Sequence, residues 1–413
     1  MNQSGSAGPA SLTLSIVQLD HSIGQIDRPI VDTTTRLLDH LQCSTPAGED
    51  FNQRTAKIKK GPQLREKVEK SIMRYRRDED RWTSLTSLLL KSLAFYRSQD
   101  SSTERLGEWG RDGASAEMGA LQIRHKNLPI LDLPRTKYHR PYLPRLGWDP
   151  ANSPIDAAKE EGEVDENYHS MMNVSHQYPW VCMAQQQLRA TEATSKPTLL
   201  GVDLVIFDAR LGKYTPTIND FLKSFVRSYT PWEWERINHY RKTDSWSIGN
   251  LSARRRSEES RLREFFLRWS MKEAYTKALG KGMHIEFDEF ETKLCGVDIA
   301  AGNPSGGGRV DGIWETIRHH SSHRGEGSRQ LSVTGKVRHT KSPLQVDSWE
   351  FIFIPLGVGI MGSNIKSTPI ACTCICRGPL PKDAPGLSVE KNPTTIEILT
   401  LVDLIQSHGS NPL

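Results

Sequence analysis

Residues 261–282 read RLREFFLRWSMKEAYTKALGKG, and this stretch carries the strongest structural pattern in the chain. Its apolar residues recur at intervals of three and four, the spacing of one face of an α-helix: Leu262, Phe265, Phe266 and Trp269. Gly280 and Gly282 follow, and glycine is the residue that most often ends a helix. The pattern predicts an amphipathic helix over residues 262–279.

Two charged residues continue the apolar stripe of this helix. Steps of three and four residues along the stripe beyond Trp269 reach Glu273 and Lys277. Charged groups are costly to bury unless they are paired, so these two residues are candidates for a functional site. The alternative is an ordinary Glu–Lys pair, one turn apart, at an exposed helix edge.

An aspartate interrupts an apolar strand. Residues 199–207, LLGVDLVIF, predict a β-strand with Asp203 inside it. A buried aspartate is usually stabilised by a metal ion or a cationic partner; on a half-exposed strand it would simply face solvent. Asp203 and Glu273 together offer two carboxylates, and Mg²⁺ commonly takes one or two from a protein before water and substrate phosphate complete its shell.

A polar segment precedes another predicted strand. Asn173, Val174, Ser175 and His176 come just before the apolar run 180–184. Hydroxyl, imidazole and backbone N–H groups at the entrance of a strand can hold phosphate oxygens, and a plain polar turn is the alternative. A hydrolytic Ser–His pair is disfavoured because a nucleophile and its base usually come from distant segments of the chain.

Two groups of basic residues have the charge to bind a ligand that carries several phosphates. The first lies at the start of a helix predicted over residues 67–97 and comprises Lys67, Lys70, Arg74, Arg76, Arg77 and Arg81. The second lies in the segment RTKYHRPYLP and comprises Arg135, Lys137 and Arg140. Solvated faces of helices and loops are the alternative for both groups.

The bulk composition suits a globular protein with anionic ligands or acidic protein partners. The chain has 413 residues, 36% hydrophobic and 25% charged, with a net charge of +5 and a pI near 8.8. This net charge is too weak to indicate a nucleic-acid partner, and no apolar run approaches the ~20 residues of a membrane-spanning helix.

Without a secretory leader, the cysteines are expected to be reduced in the cytosol. Cys372, Cys374 and Cys376 alternate, which predicts one face of a strand rather than a metal site.

Helices and strands mix in both halves of the chain, which predicts an α+β protein with two lobes of similar size. We expect an N-terminal lobe over residues 1–197, a C-terminal lobe over 198–376 and a polar tail over 377–413. A late strand is expected over residues 349–355. Polar, charged or glycine-containing segments are expected to be surface insertions: 98–119, 146–167, 241–260 and 300–330.

Several of these segments together resemble one enzyme family. GVDLV at 201–205, followed by WSMKEAYTKALGKG at 269–282, resembles the paired signature of the Sfp-type 4′-phosphopantetheinyl transferases, in particular their eukaryotic aminoadipate-semialdehyde dehydrogenase group. NVSH at 173–176, TKYHRPYLP at 136–144 and EKVEK at 66–70 resemble three further blocks. The five blocks occur in the family's order, which makes the set far more specific than any one of them.

The resemblance implies a fold of two α+β lobes related by a pseudo-twofold axis, with the active site between them. It assigns Asp203 and Glu273 to a Mg²⁺ ion that contacts the pyrophosphate of coenzyme A. Glu273, or a water that it orients, would take the proton of the acceptor serine. Lys277 would bind phosphate and stabilise charge on the leaving side.

The resemblance also implies which residues hold the rest of coenzyme A. Asn173, Ser175 and His176 belong to the block that contacts the phosphates at the adenosine end. Basic residues would hold the 3′-phosphate and neighbouring groups: Lys67, Lys70, Arg77, Arg135 and Arg140.

The implied activity is that of a holo-[acyl-carrier-protein] synthase. The serine hydroxyl of an apo acyl or peptidyl carrier protein attacks the β-phosphate of coenzyme A, and 3′,5′-bisphosphoadenosine leaves. Carriers of fatty-acid, polyketide, nonribosomal-peptide and lysine pathways all present such a serine, and a cytosolic monomer is expected. Two alternatives remain open: another Mg²⁺-dependent phosphate-transfer enzyme, and a catalytically impaired relative that binds coenzyme A.

One position departs from the pattern of many family members. They carry a second acid two residues after the aspartate, whereas this chain has Val205. Valine cannot bind a metal ion, so we expect a water molecule to fill that coordination position.

Overall fold

The computed structural model describes residues 12–19, 26, 29–43, 61–99, 170–187, 199–208, 217–238, 258–294, 331–356, 371–380 and 394–408. The chain groups into two compact units. The first comprises Met1–Pro197 and Asn392–Leu413, and the second comprises Thr198–Lys391. Each unit has helices and a sheet, so the α+β class is confirmed. The pseudo-twofold relation stays a prediction.

The described residues form strands and helices in both units, numbered in chain order. The strands are β1 Leu12–Gln18, β2 Ser170–Gln177, β3 Trp180–Gln187, β4 Leu199–Ile206, β5 Phe290–Leu294, β6 Leu331–His339, β7 Ser342–Leu356, β8 Ala371–Gly378 and β9 Thr394–Leu399. The α-helices are α1 Ile30–Cys43, α2 Gly61–Met73, α3 Asp78–Gln99, α4 Ile218–Ser224, α5 Pro231–Asn238, α6 Glu258–Ala278 and α7 Leu401–His408. None of these helices is both long and apolar enough to cross a membrane.

The sheet of the first unit has the strand order β2-β3-β1-β9. β1 and β2 both run antiparallel to β3, and β9 runs parallel to β1. α3 packs on β2 and β3. Leu85, Leu89 and Leu93 on one face of this helix are fully buried in the core of the unit.

A partly buried ion pair fixes the end of α3 against the first sheet. The two terminal nitrogens of Arg97 donate to the two carboxylate oxygens of Glu397, each at 2.7 Å. Ser15 on β1 donates to the same carboxylate at 2.9 Å. Bidentate guanidinium–carboxylate contacts are directional, so this group sets the position of α3 relative to β1 and β9.

The single helix expected over residues 67–97 is wrong, because the chain breaks into α2 and α3 at residues 74–77. The break is rich in arginine and cannot extend an apolar helical stripe. Arg81 Nε donates to the Tyr75 carbonyl oxygen at 2.9 Å and closes the turn. The acidic first turn of α3, residues 78–80, then favours a new helix N-terminus.

The segment expected to be a polar tail also contains regular structure. Its first residues, Arg377 and Gly378, complete β8. β9 pairs with β1, and the helix after it buries Leu401, Leu404 and Ile405 in the core of the first unit. Short apolar alternation in β9, at Ile396 and Ile398, is the feature that favours a strand over a tail.

The sheet of the second unit has the order β4-β8-β7-β6-β5, with every neighbouring pair antiparallel. α6 packs on β4 and β8. The expected strand 349–355 is confirmed, although β7 begins earlier, at Ser342. The strand predicted from the alternating cysteines is β8, and burial raises the pKa of all three thiols: Cys372, Cys374 and Cys376.

Candidate functional site

The predicted long helix is confirmed as α6, and its two glycines end it as expected. Gly280 and Gly282 have φ angles of 72° and 51°, in the left-handed region that glycine enters without strain. The predicted strand with its aspartate is confirmed as β4, with Asp203 6% exposed. The two strongest sequence patterns therefore form a packed strand–helix pair.

Gly201 sets the distance between this strand and this helix. A Cβ atom at position 201 would lie 2.0 Å from the Ala274 carbonyl oxygen and 2.5 Å from the Ala278 amide nitrogen. Only glycine therefore lets β4 approach the α6 backbone so closely. Alternate residues of a strand share a face, so Asp203 lies on the same side of β4 as Gly201 and is directed towards α6.

Asp203 and Lys277 form an ion pair across this contact. The Lys277 Nζ atom lies 2.6 Å from Asp203 Oδ1. The Asp203 side chain is 8% exposed and the Lys277 side chain 26% exposed. The carboxylate is thus buried against a compensating cation, while the cation itself stays accessible to solvent and to an anionic ligand.

Glu273 lies one turn before Lys277 on the same side of α6 and is partly buried. Burial raises the pKa of the Glu273 carboxyl above its ordinary value. The Lys277 ammonium acts in the opposite direction, and the Asp203 carboxylate raises this pKa further. Glu273 therefore has a higher proton affinity than an ordinary glutamate, a property that suits a general base working near neutral pH.

Val205 lies on the face of β4 that also carries Asp203, and it is buried in the apolar core of the second unit. Its side chain has no atom that could bind a metal. In the part of the chain that the structure describes, no cluster of three or more His, Cys, Asp and Glu side chains could hold a metal ion. Asp203 and Glu273 both offer carboxylate oxygens beside Lys277.

This donor set fits Mg²⁺. Two carboxylates beside one ammonium leave an excess of negative charge, which a divalent cation would neutralise. Carboxylate oxygens are hard ligands, and Mg²⁺ needs only one or two of them when water and phosphate fill the remaining positions.

The deepest charges of the second unit were missed by sequence reasoning. Glu264, Arg268 and Lys272 lie four residues apart on α6 and are fully buried, as is Glu233 on α5. Arg268 Nε donates to Glu264 at 2.7 Å, and Lys272 Nζ lies 2.8 Å from Glu233 Oε2. The signal that could have found them is the repeat of charged residues at intervals of four within an apolar helix.

The predicted phosphate-binding segment NVSH belongs to the first unit. Asn173 and Ser175 are buried, and His176 is exposed. The alternative of a plain polar turn is wrong, because the residues lie within β2 and pair with β3 rather than only preceding a strand. Tyr178 and Pro179 make the turn instead, two residues further along the chain.

The structure describes the predicted basic residues only in part. Lys70, near the end of α2, and Arg77, in the turn after it, are exposed. The side chain of Lys67 lies outside the described part of the chain, and so do Arg135 and Arg140. The structure therefore brings together Asp203, Glu273 and Lys277, and the gathering of the other predicted site residues around one ligand stays a prediction.

The chain is similar in sequence to one known family of enzymes. Residues 199–307 match the 4′-phosphopantetheinyl transferase superfamily, and this range contains all three residues of the strand–helix site. The resemblance drawn from the motifs is confirmed.

Curated relatives give the same result. L-aminoadipate-semialdehyde dehydrogenase-phosphopantetheinyl transferase from Homo sapiens is 26% identical over 215 residues, which cover 51% of this chain and 57% of the relative. Its Rattus norvegicus counterpart is 27% identical over 214 residues, with 50% and 57% covered. A phosphopantetheinyl transferase from Thraustochytrium sp. is 32% identical over 111 residues, with 27% and 31% covered. The chain thus spans little more than half the length of the first of these relatives.

Proposed function

We propose that this protein transfers the 4′-phosphopantetheine arm of coenzyme A to a serine of an apo carrier protein. The observation that carries the proposal is the group formed by Asp203, Glu273 and Lys277, held together by the close approach at Gly201. Two carboxylates and an ammonium at one place are what a pyrophosphate substrate with a divalent cation requires.

The reaction is a displacement at phosphorus. The serine oxygen forms a bond to the β-phosphorus of coenzyme A, the bond from that phosphorus to the bridging oxygen breaks, and 3′,5′-bisphosphoadenosine leaves with that oxygen. Glu273, or a water that it holds, accepts the serine proton; its raised pKa favours this role. Lys277 donates hydrogen bonds to phosphate oxygens and offsets the charge on the leaving side.

The metal requirement follows from the same residues. Asp203 and Glu273 would hold Mg²⁺, which neutralises charge on the pyrophosphate when bound. At position 205, valine stands where a third acidic ligand could lie, and a water molecule would take its place. The Mg²⁺ ion would then have fewer protein ligands. We therefore propose that the chain binds Mg²⁺ weakly without coenzyme A and more tightly with it.

The remaining groups of coenzyme A are proposed to meet the first unit. Ser175 and His176, with Asn173 beside them, would contact phosphates at the adenosine end. Basic residues would hold the 3′-phosphate: Lys67, Lys70, Arg77, Arg135 and Arg140. Arginine and lysine suit this role because they form charge-assisted hydrogen bonds to phosphate.

The carrier is proposed by analogy with the curated relatives. Their names refer to L-aminoadipate-semialdehyde dehydrogenase, so a carrier domain of that kind is the first substrate to test. Carriers of fatty-acid and polyketide synthesis are the next candidates. A monomeric state, a cytosolic location and the absence of nucleic-acid and membrane partners stay predictions.

The test measures 3′,5′-bisphosphoadenosine after the protein is mixed with coenzyme A, Mg²⁺ and an apo carrier. Release should require the carrier serine, so a carrier with that serine replaced by alanine is the control. Coenzyme A binding without release would instead identify a catalytically impaired relative. Release that does not depend on the carrier serine would identify a different phosphate-transfer activity.

A further inference from the structure

The ammonium of Lys272 lies at the centre of a buried polar group that the proposed chemistry does not use. Its Nζ atom donates to the carbonyl oxygens of Phe287 and Phe290, each at 2.6 Å, and lies 2.8 Å from Glu233 Oε2. A lysine ammonium has three protons, and three acceptors surround this one. The Lys272 and Glu233 side chains are both 0% exposed.

Glu233 connects three elements to this ammonium. It closes a capping box at the start of α5: the Thr230 amide donates to Glu233 Oε2 at 3.1 Å, and the Glu233 amide donates back to Thr230 Oγ1 at 3.3 Å. Its other oxygen accepts a 3.2 Å hydrogen bond from the Thr292 amide on β5. One carboxylate thus joins α5, β5 and, through Lys272, the middle of α6.

Stability alone does not account for such a group. Burying two charges costs about as much as their attraction returns, and well-packed apolar side chains in their place are often equally stable. Hydrogen bonds differ from apolar packing in being directional. The hydrogen-bond acceptors on β5 and α5 therefore fix the rotation of α6 about its own axis. A purely apolar contact would leave this rotation less defined.

We infer that Glu233 and Lys272 are positioning residues that set the rotation of α6 and so place the Glu273 carboxylate for transfer. Lys272 directly precedes Glu273, and successive helical residues are ~100° apart around the axis. Only one peptide unit separates the anchored Lys272 from Glu273, whose carboxylate faces β4. A rotation of α6 at Lys272 therefore moves the Glu273 carboxylate as well. This inference rests on the proposed function.

The expected effect follows from the size of the helix. A helix with its side chains is ~10–12 Å across, so a rotation of ~10° moves a side-chain tip by ~1 Å. A misplacement of ~1 Å at a reacting group costs ~10²-fold in rate. Loss of the pair should therefore lower kcat by up to ~10²-fold with a much smaller change in the KM for coenzyme A.

The principal variant replaces both partners by uncharged residues of similar size, Glu233→Gln with Lys272→Met. Each single change would leave one buried charge without its partner and risks unfolding, whereas the double change removes both charges. Glu233→Asp is the second variant, because it keeps the charge and shortens the reach by one methylene. The matched control is Glu350→Gln with Arg377→Met, a buried ion pair of the same unit that joins β7 to β8 rather than anchoring α6.

Two measurements decide the inference. The first is steady-state kinetics on folded protein, where both test variants should lose kcat and the control should keep it. The second is a crystal structure of the Glu233→Gln, Lys272→Met protein, in which α6 should be rotated and the Glu273 carboxylate displaced relative to the Asp203–Lys277 pair, and it needs no activity. If the test variants stay folded with wild-type kcat and the Glu273 carboxylate stays in place, the inference is overturned. If the wild type shows no transfer, the proposed function fails, and the position of the Glu273 carboxylate in the variant alone decides whether the pair positions it.

Discussion

Alanine at position 201 should open the strand–helix contact that holds the candidate site together. The added Cβ would lie 2.0 Å from the Ala274 carbonyl oxygen, whereas real Cβ contacts stay at 3.0 Å or more. Strand or helix must therefore shift by about 1 Å, and the opposing atoms belong to backbone that cannot swing aside. Asp203 is two residues away on the same face, so its 2.6 Å contact with Lys277 should be lost or lengthened.

The magnitude has two parts. Overpacking of this kind costs ~1–3 kcal/mol of unfolding free energy. A displacement of ~1 Å between groups that act on one substrate costs ~10²-fold in rate. Gly201→Ala should therefore lower kcat/KM by ~10²-fold even in the fraction of protein that stays folded.

The assay combines chemical denaturation with transfer kinetics, and Gly335→Ala is the matched control. A Cβ at position 335 would lie 2.6 Å from the Phe351 ring, so it overpacks the same sheet on β6. The control should lose a similar amount of stability and keep its kcat. If Gly201→Ala retained wild-type kcat/KM, the reasoning that the close approach places the carboxylate would be refuted.

Further predictions concern three site residues. Glu273→Gln should lower kcat by at least ~10²-fold, the scale of a lost general base. Folding raises the pKa of the Glu273 carboxyl, so the folded state binds this proton more tightly than the unfolded state does. The contribution of Glu273 to the free energy of unfolding is therefore present below the ordinary glutamate pKa and is lost as the pH rises through the raised pKa. Glu273→Gln should thus be the more stable protein at neutral pH without Mg²⁺, as denaturation in chelator can check. Lys277→Ala should raise the KM for coenzyme A and lower kcat, whereas Lys277→Arg should restore binding better than rate; equal recovery of both would contradict this. Val205→Glu should destabilise the Mg²⁺-free protein, because it buries a carboxylate, and should tighten Mg²⁺ binding in calorimetry relative to Val205→Gln.

The strand–helix site could be predicted because its signals are local. The apolar periodicity before Glu273, the glycines after Lys277 and the aspartate within an apolar strand are all readable from short windows of sequence. The requirement for glycine at position 201 could not be predicted from a short window of sequence. It depends on backbone atoms of Ala274 and Ala278, which lie more than 70 residues away and become neighbours only after folding.

Other features escaped sequence reasoning for similar physical reasons. The pairing of β9 with β1 joins residues from opposite ends of the chain, and no local pattern specifies such a partner. The buried pair of Glu233 and Lys272 looks like ordinary surface charge, because a charged residue in a helix is usually solvated. The break before α3 was missed since both flanking segments favour helix and only the charge density between them interrupts the pattern.

Intact mass spectrometry of apo carriers tests the central claim most directly. The protein is incubated with coenzyme A, Mg²⁺ and a panel of carriers that represent aminoadipate, fatty-acid and polyketide pathways, with Asp203→Ala as the inactive control. The account predicts that at least one carrier gains the mass of one phosphopantetheine arm on its serine, and that the gain disappears with Asp203→Ala. No mass gain on any carrier, from wild-type protein that is folded and binds coenzyme A, would contradict the account.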